Sequence, residues 1–202
     1  MVHQLKLWPV PITIVDDFVS DQQLLADLKS ETATVDSVAG LNATIQNLDE
    51  HKLTKAQEKI TSLVTSMVVN YCAENSIDYN NLKFSNFVKS YVYSYGEDSV
   101  NNNSYEPHHD MVEQNYLTVC FYLDSAWDGK IWCGGELTIY RELTFATYPA
   151  NIVNVLPKPN RLVIFPGFVN HRVKPYFGST PRVAFVFAWS VRDATPTVPL
   201  TI

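Results

Sequence analysis

Leu117-Thr-Val-Cys-Phe-Tyr-Leu123 is the stretch that decides the fold. It is rich in β-branched and aromatic residues, a composition that suits a packed, pleated strand. Five further segments share that character: residues 88–93, 136–141, 152–156, 161–165 and 182–190. They are short and separated by Gly, Pro, Asn or Asp, so each is expected to be a strand bounded by turns. Many short strands at modest spacing predict an antiparallel sandwich or barrel.

Upstream the pattern changes. Ser20 precedes Gln23 by three and Thr54 precedes Gln57 by three, both the signature of a capping box at a helix start. After Thr54 the apolar residues Ile60, Leu63, Val64, Met67, Val68 and Tyr71 recur at steps of three and four, predicting one buried stripe on a helix that runs to about Cys72. A shorter helix carrying Leu24, Leu25 and Leu28 is expected after Ser20, and residues 34–52 read as a polar connection. Helices that bury one face of a sheet give a single α+β domain, mainly β. The expected layout is residues 1–85 as helical support and 86–192 as the β core.

A chain of 202 residues with 46% apolar content can bury a substantial core, which excludes wholesale disorder. Its formal charge of −6 argues against a surface built to neutralise nucleic-acid phosphates. Cys72, Cys120 and Cys133 are an odd set without a CxxC pair, which fits reduced thiols better than a disulfide framework. No apolar run approaches the ~20 residues that span a bilayer, and the N-terminus has no signal-peptide pattern. The expected location is the cytoplasm, with no membrane partner.

The segment Glu106-Pro-His-His-Asp110 carries the chemistry. Residues i and i+2 of an extended chain project to one face, so His108 and Asp110 can share an ion while His109 points away. Two histidines and one carboxylate on one face of an octahedron suit non-haem iron(II). His171, in Phe168-Val-Asn-His-Arg-Val-Lys-Pro175, follows the apolar segment 161–165 and is the candidate second histidine. His-x-Asp alone is a weak signal, since a surface His beside an Asp is usually only solvated. The weight falls on the surrounding sequence.

That surrounding sequence resembles the prolyl-hydroxylase-like branch of the iron(II)/2-oxoglutarate-dependent oxygenases. Tyr93-Ser-Tyr-Gly96 is similar to the strand end that precedes the metal motif in that branch. Then follow His108-His-Asp110, Leu117 to Asp128 with its Tyr122, and Gly134-Gly-Glu-Leu137. Arg161-Leu-Val-Ile-Phe-Pro166, His171-Arg-Val-Lys-Pro175 and Arg182-Val-Ala-Phe-Val-Phe-Ala-Trp189 complete the family's order. The resemblance covers residues 86–192 and implies a double-stranded β-helix (jelly roll) of two antiparallel sheets with supporting N-terminal helices. It implies Fe(II), 2-oxoglutarate and O2 as cofactor and co-substrates, and hydroxylation of a substrate with release of succinate and CO2. The substrate it implies first is a prolyl or other side chain of a protein or peptide; a small molecule is the alternative.

By the same resemblance, Arg182 would fork its guanidinium onto the distal carboxylate of 2-oxoglutarate, with Tyr122 donating to that carboxylate. Tyr93 and Tyr95, and less directly Tyr105, would line the pocket. The plainer readings are a strand-end arginine facing water and a core tyrosine with an incidental partner. Gly134 and Gly135 read as a tight turn, since no helix start follows to make a phosphate cradle. A barrel of similar shape that binds a ligand without catalysis, or a metal-dependent hydrolase using the same ligands, are the rival functions.

Overall fold

The computed structural model describes residues 2–7, 10–32, 43–47, 52–92, 108–110, 115–127, 133–140, 152–177 and 180–191. Ten strands and two α-helices occupy this part of the chain. In order they are β1 (Val2–Leu7), β2 (Val10–Val15), α1 (Gln22–Thr32), β3 (Ala43–Asn47), α2 (Lys55–Glu74), β4 (Leu82–Val92), β5 (Asn115–Asp124), β6 (Leu137–Tyr140), β7 (Ile152–Val155), β8 (Arg161–Pro166), β9 (His171–Val173) and β10 (Arg182–Val191). A short 3-10 turn, Tyr79–Asn81, leads into β4. The strands form a seven-stranded sheet, β1-β2-β8-β5-β10-β4-β3, and a three-stranded sheet, β7-β6-β9. Every pairing is antiparallel. This is the jelly-roll arrangement expected from the sequence.

Side-chain alternation with period two gives the large sheet two buried faces. On one, Leu117, Val119, Phe121 and Leu123 of β5 join Leu162 and Ile164 of β8 and Val183, Phe185, Phe187 and Trp189 of β10. They pack with Leu24 and Leu28 of α1 and Ile60, Val64, Val68 and Tyr71 of α2. On the other, Tyr122, Val163, Phe165 and Ala184 meet Leu137, Ile139, Val153 and Val155 of the small sheet. The helices therefore brace the outside of the large sheet, and the space between the sheets holds the site.

The capping box of α2 is present: Gln57 N–H donates to Thr54 Oγ1 at 3.2 Å, and Thr54 N–H to Gln57 Oε1 at 3.2 Å. The start of α1 differs from expectation. Asp21, not Ser20, caps it, its Oδ1 accepting from the N–H groups of Gln23 (3.0 Å) and Leu24 (3.1 Å). A carboxylate accepts two donors at once and complements the helix dipole better than a hydroxyl.

The first 85 residues are also less purely helical than expected, because β1, β2 and β3 extend the large sheet at its two edges. Pro11 obscures β2 in the sequence, since proline cannot donate to a ladder. The structure accommodates it by pairing β8 only with Thr13, Ile14 and Val15, beyond the proline. β3 falls within the segment read as a polar connection.

Candidate metal centre

The turn after β8 brings the two candidate histidines together. Gly167 N–H donates to the Tyr116 carbonyl at 2.8 Å and Val169 N–H to the Pro166 carbonyl at 3.2 Å, which reverses the chain so that His171 opens β9. There it exchanges two backbone hydrogen bonds with His108, at 2.9 and 2.8 Å, in an isolated antiparallel bridge. Directly opposed residues of such a pair project to the same side, and the two rings stand 4.5 Å apart between centroids. Asp110 N–H donates to the Gly167 carbonyl at 2.7 Å, so the carboxylate is delivered beside them.

The side chains converge. Asp110 Oδ1 lies 3.7 Å from His108 Nε2 and 3.7 Å from His171 Nε2. One ligand atom from each of the three residues falls within 4.8 Å of the others. Two donors each about 2 Å from one ion are separated by at most roughly 4 Å, so the spacing around Oδ1 already fits a bound metal. His109, as expected, is exposed and outside the cluster.

His171 is set up as a neutral candidate ligand. Its Nδ1 donates to the Val169 carbonyl at 2.9 Å, which puts the proton on that nitrogen and leaves the Nε2 lone pair facing Asp110. Burial lowers its pKa below the ordinary value, against the opposing pull of Asp110. The Phe165 ring meets it edge-on at 4.9 Å.

Sequence reasoning missed Thr118. Its Oγ1 donates a hydrogen bond to Asp110 Oδ2. The signal was available, since Thr118 shares strand parity with Tyr122 and must face the same side of β5.

Arg182 lies at the other end of the same inner face. It is 3% exposed, so the reading of a strand-end arginine in water does not hold. Nη1 donates to the Gly135 carbonyl at 3.0 Å, Cζ stands 5.9 Å from the centroid of the Tyr122 ring, and Nε is buried with no hydrogen-bond partner. A buried cation with an unused donor is costly unless an anion completes it. Tyr122 is 2% exposed, and burial raises its pKa, so the hydroxyl keeps its proton.

The paired glycines make this arrangement possible. Gly134 and Gly135 have φ of 72° and 74°. A Cβ on Gly134 would lie 2.1 Å from the Pro175 carbonyl oxygen, and one on Gly135 2.8 Å from Tyr176 Cδ2. The turn presents the Gly135 carbonyl to the guanidinium. Tyr93, Tyr95 and Tyr105, with the whole of 96–107, lie outside the described residues.

Thr118 and Tyr122 mark the two ends of the site on β5, roughly 13 Å of strand apart. Two imidazoles and a carboxylate at one end and a buried guanidinium with a tyrosine at the other form a candidate mononuclear metal centre with an adjoining candidate anion site, inside a jelly roll. Residues 91–189 match the family model described as the 2OG-Fe(II) oxygenase superfamily, and the chain belongs to that superfamily. It is an enzyme of the 2-oxoglutarate-dependent oxygenase class, whose chemistry uses Fe(II), 2-oxoglutarate and dioxygen.

Solved structures agree on the fold. The chain is similar to a prolyl hydroxylase from Trichoplax adhaerens in complex with a hypoxia-inducible-factor peptide (19% identity, TM-score 0.57, covering 89% of this chain and 83% of that one). It is similar also to a Pseudomonas putida prolyl-4-hydroxylase (19%, TM-score 0.60, 90% and 92%). A third similar structure is the α-ketoglutarate-dependent epimerase SnoN of nogalamycin biosynthesis (13%, TM-score 0.63, 89% and 78%). Among curated proteins, none matches the chain in sequence. No described helix is long and apolar enough to cross a membrane.

Proposed function

We propose that His108, Asp110 and His171 hold the iron, that Arg182 and Tyr122 hold the distal carboxylate of 2-oxoglutarate, and that the enzyme hydroxylates a prolyl or other side chain of a protein or peptide. The observation that carries this reading is the convergence of the three ligand atoms within 4.8 Å.

Bound iron, with 2-oxoglutarate and dioxygen, supplies an oxidant that inserts one oxygen atom into a substrate C–H bond while the other ends in succinate, with CO2 released. The residues of this chain do the remaining work. Neutral His171 offers Nε2 and keeps its Nδ1 proton on the Val169 carbonyl, so ligation needs no proton loss there. The Arg182 guanidinium, already fixed by the Gly135 carbonyl, is preorganised to receive a carboxylate, and Tyr122 lies beneath it. The apolar side chains of Ile139, Val163 and Phe165 keep water from the space between the two ends.

The prolyl assignment draws support from the fold shared with the prolyl hydroxylases of Trichoplax adhaerens and Pseudomonas putida. A second reading, hydroxylation or related oxidation of a small molecule, is favoured by the somewhat higher TM-score of 0.63 to SnoN. Incubation with Fe(II) and 2-oxoglutarate separates these readings, with succinate quantified and products searched for a gain of one oxygen. Peptide-linked gain supports the first and metabolite gain the second. Absence of succinate under every condition contradicts both.

A further inference from the structure

We infer that Thr118 is a positioning residue of the metal centre, whose hydroxyl holds one oxygen of Asp110 so that only the other is presented to the metal. The inference rests on the ligand assignment proposed above and adds to it what fixes the orientation of the carboxylate.

An ionised carboxylate offers two oxygens to a cation and can bind through one or both. Its terminal torsion is broad, so nothing intrinsic to aspartate decides between them. The choice matters here. Two imidazoles and a single carboxylate oxygen leave open positions for a chelating co-substrate and for dioxygen, and a second carboxylate oxygen on the metal would occupy one of them.

In this structure the two oxygens of Asp110 have different surroundings. Oδ2 accepts from Thr118 Oγ1. Oδ1 stands 3.7 Å from both histidine Nε2 atoms. One oxygen is tied back to the sheet while the other faces the two imidazoles.

Thr118 is well placed to impose this. It sits in β5 between β8 and β10, opposite Phe165 on one side and Ala188 on the other, and is 2% exposed. Strands paired on both sides fix its Cα, and β-branching stiffens χ1. The backbone of Asp110 is tethered separately, by its N–H on the Gly167 carbonyl. The carboxylate is thus held at its backbone by the β8–β9 turn and at its Oδ2 by β5.

Thr118→Val removes the hydroxyl with little change of shape, and Thr118→Ser keeps it. Co(II) serves as the probe, titrated into metal-free protein and followed by its visible absorption. Thr118→Val is expected to weaken Co(II) binding by about 10–100-fold, the usual consequence of losing an outer partner of a ligand. Its spectrum is expected to change with the coordination, and its KM for 2-oxoglutarate to rise. Thr118→Ser should restore wild-type affinity and spectrum, a rescue that a role in packing alone would not produce.

Wild-type Co(II) affinity and spectrum in Thr118→Val would overturn the inference, as would a serine variant no better than valine. Should the valine variant fail to fold by circular dichroism, Thr118→Ala, which adds no bulk, carries the same comparison. His108→Ala and His171→Ala are run beside it. If they bind Co(II) like the wild type, the ligand assignment itself fails; if they lose it while Thr118→Val does not, only the role of Thr118 falls.

Discussion

Arg182 shows how a single side chain can be read wrongly from its neighbours and correctly from its burial. A charge at the start of an apolar strand is compatible with solvent, yet here the guanidinium is enclosed, with one donor on the Gly135 carbonyl and Nε unused. Arg182→Ala should chiefly raise the KM for 2-oxoglutarate, and Arg182→Lys should recover little of it, because an ammonium lacks the planar fork. Steady-state kinetics with varied 2-oxoglutarate check this, and an unchanged KM would move the role elsewhere. Cys120 faces the same interior, partly buried against the apolar cluster that includes Tyr122, Val163 and Ala184. Burial pushes its thiol up to about 12, so little reactive thiolate forms at neutral pH. Alkylation at Cys120 should therefore be slow and rise steeply with pH. It should slow further with metal and 2-oxoglutarate present, as peptide mapping by mass spectrometry would show.

At the scale of elements, the site depends on turns and strand ends as much as on ladders. Arg161 opens β8 and pairs with Asp16 just after β2, Nε to Oδ1 at 2.6 Å and Nη2 to Oδ2 at 3.1 Å. The Arg161 hydrogen bond holds the Asp16 pKa below its ordinary value. A depressed carboxylate pKa contributes stability that is present above the unfolded value, 3.8, and is lost as pH falls through the folded one. Asp16→Asn should thus destabilise the fold by about 1–3 kcal/mol at neutral pH, with the gap to wild type closing below pH ~3.8; urea unfolding across pH measures it. Gly135→Ala should cost about 1–3 kcal/mol, from a positive φ and a Cβ 2.8 Å from Tyr176. It should also loosen 2-oxoglutarate binding by shifting the carbonyl that holds Arg182. The long strands β5 and β10 and helix α2 were legible because local pattern decides them: dense β-formers in the strands, and a capping box with a three-four stripe in the helix. β2 was not, because Pro11 contradicts a strand locally while its pairing with β8 is set by tertiary contact. The Asp21 cap was missed for a smaller reason, one residue of register at a helix end.

The whole molecule brings together residues that no local pattern connects. His108 and Asp110 were legible as a pair from their i, i+2 spacing, and His171 from its place after an apolar strand. What joins them is the turn between β8 and β9 and a two-bond bridge, which follow from the path of the chain between two sheets. Thr118 escaped because strand parity gives the face it occupies but not its partner, Asp110, eight residues away, and Tyr93, Tyr95 and Tyr105 lie outside the described residues. Because the metal would link the small sheet's β9 with the segment at residues 108–110, its binding should stabilise the fold as a unit. At a metal concentration of about 100 times Kd the gain is about 2.7 kcal/mol, several degrees in Tm for a chain of this size. The most direct test of the account is anaerobic equilibrium dialysis against Fe(II), with iron counted per chain. The account predicts one equivalent on the wild type and none on His171→Ala at the same free iron. A full equivalent retained by His171→Ala would contradict it.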